Sequence, residues 1–449
     1  MTAGTRRMWS RASRRALAFT VALAGACATA LMGTAPVAVA ADMRSKQWYL
    51  DAMHAEEIWK KTTGEDITVA VIDTGVNSST PSLKGKVLKG LDTTGVKGEA
   101  TDDYTGHGTT MAELIAGSGE GGGLKGLAPG AKILPLRVSN TKLQNKESVN
   151  AYDERDAIRA AADSDAQIIS MSFGSEFMTR ENIEAVKYAE SKGKLFLAAV
   201  GNSAKKGNKP SYPANYPEVA GVAATDRNGR VAEYSQHGDF VDIAAPGNDI
   251  PYWCDSTFTR YCEGDGGTSA ANALASASAA LIWSAHPDWT ANQVLRVMFE
   301  SAVRPEGSKD GTLSNYLGHG IVRPNAHITR GLGKPGDPNL SPLTNKRTAG
   351  GSSAGSAAPS APAASEASNG GSKSDAVVAG SSKTADGSSQ RGLVLGGAAV
   401  VVVLAAGAFA VIRKCLTRRQ GRRARKELHP TLSLTLSQTG ESQRNSSDN

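Results

Sequence analysis

Between residues 67 and 245 short apolar runs alternate with longer amphipathic ones. Ile67–Ile72 (ITVAVI) is largely β-branched and holds no charged residue. That predicts a strand buried on both faces. Ala131–Val138, Ile168–Gly174, Leu195–Val200, Val219–Ala224 and Phe240–Ala244 predict further strands. Between them, MAELIAG (closed by Gly117), Lys146–Ala162 and Glu181–Lys192 predict helices. Another is predicted from Thr290 to about Ala302, with Thr290 and Gln293 at capping-box spacing. Strands alternating with helices predict an α/β fold, a parallel sheet with helices on both faces. The functional site of such a sheet lies beyond the carboxyl ends of its strands, where Asp73 and Asn202 fall.

One stretch departs from this rhythm. Gly267-Thr268-Ser269 opens a run of small residues from Ala270 to Ala285. Glycines ahead of a helix let the backbone turn sharply. A serine in the first turn then sits at the positive end of the helix dipole, where developing negative charge is stabilised. The small residues allow the helix to lie close against its neighbours. A serine nucleophile needs that fixed backbone and exposed hydroxyl. Taken alone, the stretch is better read as a buried, alanine-rich helix without chemistry.

The two ends of the chain have a different character. Arg6, Arg7, Arg11, Arg14 and Arg15 precede the apolar run ALAFTVALAGACATALMG, and Ala38-Val39-Ala40 offers a cleavage site before Ala41. Residues 1–40 therefore read as an export signal, with the general and twin-arginine routes both open. From 335 to 390 the composition collapses to Gly, Ser, Ala and Pro, which predicts a disordered linker after a domain at 41–334. Residues 392–412 form 21 residues without charge, long enough to cross a bilayer as a helix. The segment 413–449 carries nine Lys or Arg against three acids. By the positive-inside rule this tail is cytoplasmic and the main domain extracellular, on a single-pass anchor in the cell membrane.

Charge agrees with that division. The net charge is +7, residues 1–40 contribute +5 and 413–449 contribute +6, so 41–412 carries 7 − 5 − 6 = −4. Basicity belongs to the ends, which argues against a nucleic-acid partner for the main domain. Of the four cysteines, only Cys254 and Cys262 lie in the exported part. Outside the cell they are expected to form a short-loop disulfide, with two free thiols as the alternative. Two glycine motifs are set aside. Gly117, Gly119 and Gly122 follow a helix, unlike a dinucleotide-binding turn. Gly351–Gly355 (GSSAG) lies in the linker, where no strand or helix can make a nucleophile elbow.

Asp73, His107 and Ser269 now fall in chain order, each within two residues of a glycine, with Asn202 at another strand end. A serine hydroxyl that attacks a carbonyl needs a base, and histidine has the suitable pKa. The imidazole needs an acid to hold its tautomer. The tetrahedral intermediate needs donors, and the Asn202 amide can supply one. An aspartic-protease reading of Asp73-Thr74-Gly75 requires a second such carboxylate motif, and the sequence holds none.

VIDTGV, GHGTTMAELIAG, AAVGNSA and GGTSAA resemble the four sequence blocks of subtilisin-like (S8) serine proteases. LAPGAKILPLRV, IISMSFG, PANYP and VDIAAPG are similar to that family too, and the resemblance runs over about residues 45–330. It implies Asp73 as orienting acid, His107 as general base and acid, Ser269 as nucleophile, and Asn202 as oxyanion donor beside the Ser269 N–H. It also implies that Ser172, Phe173, Gly174, Ala198, Ala199 and Val200 line a cleft for a protein or peptide substrate. With its leader, linker, span and tail, the chain resembles the mycosins, which implies type VII secretion machinery as a partner. Calcium is common in this fold, but no local pattern assigns a metal ligand, and no other cofactor is implied.

The chain departs from the family at three places. Ala270-Ala271-Asn272-Ala273 lacks the proline usual after the nucleophile. Thr110-Met111-Ala112 stands where His-Val-Ala is frequent. About 30 residues separate the cleavage site from Asp73, too few for a folded inhibitory propeptide. The rival reading is a slow or inactive scaffold or peptide-binding component of a secretion complex, and the altered segment after Ser269 is its one support. A secreted digestive protease is opposed by the span at 392–412.

Overall fold

The computed structural model describes residues 43–148, 153–264, 266–304 and 312–348. The chain divides into Met1–Ser360 and Ala361–Asn449, and all described residues belong to the first unit. The export signal, the span at 392–412 and the tail lie outside the described residues. Among those described, no helix is long and apolar enough to cross a membrane.

Seven strands form one sheet: β1 (Thr68–Asp73), β2 (Leu91–Asp92), β3 (Lys132–Arg137), β4 (Ile168–Met171), β5 (Leu195–Ala199), β6 (Ala220–Thr225) and β7 (Ile243–Pro246). Their order is β2-β3-β1-β4-β5-β6-β7 and every pairing is parallel. A separate antiparallel hairpin joins β8 (Tyr252–Trp253) to β9 (Tyr261–Cys262). The helices in chain order are α1 (Met43–Lys46), α2 (Trp48–Ala52), α3 (Ala55–Trp59), α4 (His107–Ala116), α5 (Thr141–Glu147), α6 (Asp153–Asp163), α7 (Arg180–Ser191), α8 (Thr268–Ala285), α9 (Ala291–Ser301) and α10 (Pro324–Arg330).

Alternation along each strand gives the sheet two cores. Val69, Val71, Ile133, Leu195 and Leu197 face a layer that includes α4, α8 and the N-terminal helices. Ala70, Ile72, Ile169, Phe196 and Ala198 face α6 and α7. Both faces are covered, so the strands read as unbroken apolar runs. From Ala270 to Trp283, α8 is buried at every residue. Its alanines let it pack against α4 and four strands, β4 to β7.

Several boundaries differ from the expectation. Lys146–Ala162 is not one helix. Asn140 caps α5 by accepting from Leu143 N–H at 2.9 Å, Ser148 ends it at a left-handed φ of 55°, and α6 begins at Asp153. The predicted strand 168–174 stops at Met171, so Ser172–Gly174 leave the ladder. The last strand is displaced to Ile243–Pro246, and a proline is tolerated there because β7 is an edge strand. Ordered structure also continues past 334. Pro338 O accepts from Thr290 Oγ1 at 2.9 Å and Asn292 Nδ2 at 3.0 Å, Leu340 O accepts from Arg296, and Ser341 is buried. Residues 335–348 thus close over the start of α9 instead of opening the linker.

Candidate active site

β1 and β5 deliver Asp73 and, three residues beyond Ala199, Asn202 to the same end of the sheet. Asp73 is 1% exposed. Its Oδ1 lies 2.7 Å from His107 Nδ1 and accepts from Thr74 N–H at 2.8 Å. His107 begins α4, and the helix approaches β1 so closely that a Cβ on Gly108 would fall 2.1 Å from Gly75 O. That contact explains the glycine after the histidine. Burial opposes the charged imidazole, but Asp73 outweighs it through its charge and hydrogen bond, and the His107 pKa is held above its ordinary value.

The start of α4 is organised by Asp103. It is 6% exposed. Its Oδ1 accepts from Thr74 Oγ1, Thr105 N–H and Gly106 N–H at 2.8–2.9 Å. Its Oδ2 accepts from Thr109 N–H and Thr109 Oγ1 at 2.9 and 2.7 Å. A buried carboxylate is tolerable only with such partners. Thr74 and Asp103 thereby fix Asp73 and His107 relative to one another.

Ser269 lies in the first turn of α8. Together with His107 and Asn202 it lines a cavity of about 390 Å³. Its Oγ donates to Ser172 O at 2.7 Å, just past the end of β4, so its proton is engaged there and not with the imidazole. Rotation about one side-chain torsion redirects it, a ps–ns event at an accessible side chain. Asn202 is oriented unambiguously. Its Oδ1 accepts from Thr268 N–H and Thr268 Oγ1, both at 2.9 Å, which turns Nδ2 away from them as a free donor. Gly201 before it has φ 104°, and a Cβ there would lie 2.0 Å from Gln236 Oε1.

The segment that lacks the usual proline is an uninterrupted helix. Asn272, fully buried, donates through Nδ2 to Ser170 Oγ at 3.0 Å and Met171 O at 3.2 Å. It ties the nucleophile helix to the end of β4, a role the sequence did not reveal.

Of the six residues expected to line the substrate cleft, Ser172, Phe173, Gly174 and Ala199 border a second cavity, of about 430 Å³, on the far side of Ser269. Ala198 and Val200 do not. Their side chains point into the core beneath the sheet, because strand alternation sends every second residue to the other face. Ser211 and Gln236 also border this cavity and were missed, since only the tertiary structure returns their loops to β5. Cys254 and Cys262 form a disulfide. Among the described residues, no group of three or more His, Cys, Asp or Glu could hold a metal ion.

Glu113 on α4 is fully buried and accepts from Thr80 Oγ1 at 2.8 Å and Tyr261 OH at 2.6 Å. Burial pushes its pKa up to about 7 from an ordinary 4.5, against the opposing pull of those donors. The folded state therefore holds a proton that the unfolded chain has released, and this contribution to stability disappears as pH rises to about 7. A shift of that size corresponds to about 3 kcal/mol. Urea unfolding of the wild type and Glu113→Gln should show the wild type losing about that much relative to the variant between about pH 4 and pH 8. A difference that does not vary with pH would refute the assignment.

Comparison with known proteins agrees with the fold. The Peptidase S8, subtilase family profile matches residues 64–320, more than half of the chain. The chain belongs to the subtilase family of serine proteases. It is 36% identical to thermitase of Thermoactinomyces vulgaris over 216 residues, 48% of this chain and 73% of thermitase. It is 32% identical to subtilisin Savinase of Lederbergia lenta over 266 residues, 59% of this chain and 91% of that one. Among solved structures it is similar to MycP1 from Mycobacterium smegmatis, with a TM-score of 0.53, 26% identity, and 65% and 86% of the two chains covered. It is also similar to the MycP3 protease from the type VII (ESX-3) secretion system, with a TM-score of 0.52, 28% identity, and 66% and 90% covered.

Proposed function

We propose that this serine protease is a membrane-anchored, extracytoplasmic endopeptidase that processes secreted or cell-surface proteins at a type VII secretion system. Ser269 attacks the scissile carbonyl, His107 takes its proton and passes it to the leaving amine, and Asp73 holds the imidazole and stabilises its cation. Asn202 Nδ2 and the Ser269 N–H donate to the oxyanion. The observation that carries this reading is the 2.7 Å contact between His107 and buried Asp73 at the mouth of a cavity that also holds Ser269 and an oriented Asn202 amide. Membrane anchoring rests on the uncharged run 392–412 and the basic segment after it. The secretion partner rests on the likeness to MycP1 and MycP3. The scaffold alternative depended on the altered segment after Ser269, which forms an intact helix.

A fluorophosphonate probe tests the nucleophile. The full-length chain should label covalently, and Ser269→Ala should not. Absence of labelling in folded wild type would refute the mechanism.

A further inference from the structure

Two cavities meet at Ser269, and only one of them borders His107. The imidazole must hand its proton to the departing nitrogen, so the leaving-group half of the substrate exits past His107. The cavity of about 390 Å³ on that side therefore faces the residue immediately after the scissile bond. Its walls are largely apolar: Met111, Ile250, Tyr252, Trp253 and Ala270. The cavity on the acyl side instead carries Ser211, Gln236, Lys209 and Glu176, the last two paired at 2.8 Å.

Trp253, itself buried, lines this cavity from the β8–β9 hairpin that Cys254–Cys262 closes. Its ring stacks on Tyr261 at 3.8 Å and meets Phe258 edge-on at 5.5 Å. The hairpin is fastened to the helix that begins with His107. Trp253 N–H donates to Thr110 Oγ1 at 3.0 Å, and Tyr261 OH donates to Glu113 at 2.6 Å. The indole is thus held in place before any substrate arrives, and little ordering cost remains to be met on binding.

We propose that Trp253 is a specificity-determining residue that selects an apolar side chain immediately after the scissile bond. The inference rests on the serine-protease mechanism above. Partial to full burial of a leucine or phenylalanine side chain in such a seat corresponds to a preference over glycine on the order of 10–100-fold.

Quenched peptides with one acyl half and Gly, Leu, Phe or Asp after the cleaved bond, tested on the full-length chain, read this as ratios of kcat/KM. In the wild type, Leu and Phe should exceed Gly by on the order of 10–100-fold, and Asp should fall below Gly. Trp253→Ala should bring the Leu/Gly ratio to within about threefold, and Trp253→Phe should keep most of it. Fluorophosphonate labelling, whose probe has no peptide leaving group, reports separately on the nucleophile. Wild type that labels but shows a flat or acid-preferring series overturns the proposal and leaves the mechanism standing. A Trp253→Ala variant that labels and keeps the full ratio also overturns it. Should Trp253→Ala fail to fold, the wild-type series and reduction of the disulfide decide. Reduction should lower the Leu/Gly ratio in protein that still labels, and an unchanged ratio counts against the hairpin.

Discussion

Replacing Ser269 by alanine should lower kcat by about 10⁶, the loss found when a subtilisin-type nucleophile is removed. The neighbouring hydroxyl cannot substitute. Thr268 Oγ1 donates to Asn202 at 2.9 Å and accepts from Gly201 N–H at 3.2 Å, so it is fixed by the asparagine it orients. His107→Ala should cost a similar factor, and the double variant should be little worse than either, because base and nucleophile act as one unit. What survives comes from binding and from the Asn202 donor, which α8 and β5 still hold in place. Steady-state hydrolysis of one peptide by the three variants measures this. Residual activity above about one per cent in Ser269→Ala, or additive losses in the double variant, would contradict the assignment.

Asp73→Asn should reduce kcat by about 10⁴ and also move the pH profile, which the serine variant cannot report. The amide can still occupy the space between Thr74 and His107, but the charge that stabilises the imidazolium is gone. Asp73 holds the His107 pKa above its ordinary value, against the effect of burial. Activity needs neutral His107, so the rising limb of kcat/KM in the wild type lies on the alkaline side of an ordinary histidine. Without the carboxylate, burial is opposed only by the more distant charge of Asp103, and the limb should shift to lower pH. A limb that stays in place, or moves to higher pH, would mean that His107 does not govern the profile.

Much of this was legible in the chain. The buried strands announce themselves as β-branched runs, and Asp73 and Asn202 stand just past two of them, where a parallel sheet puts its site. Glycine marks where backbones must nearly touch, as Gly108 does against Gly75 O. Such features are local, depending on side-chain bulk, backbone freedom and periodicity within one segment. For that reason the sequence alone predicts a parallel α/β sheet with a helix behind Ser269, and nominates Asp73, His107, Asn202 and Ser269 as its candidate site.

Other features depend on partners distant in the chain, and these only the tertiary structure decided. The burial of Asp103 comes from the close packing of α4 against the end of β1, which no local pattern signals. The family resemblance implies Ala198 and Val200 in the cleft, but it does not tell which way each side chain points, and theirs lie in the α6–α7 core. Residues 335–348 looked like linker because their polar and small side chains give no apolar signal, yet their backbone carbonyls satisfy donors at the start of α9. Trp253 is one aromatic residue among many until the hairpin lays it beside the helix of His107. Chemistry that needs a residue type at a strand or helix end can be read from the sequence, whereas the walls of a cavity cannot, because they are made of segments brought together only by the fold.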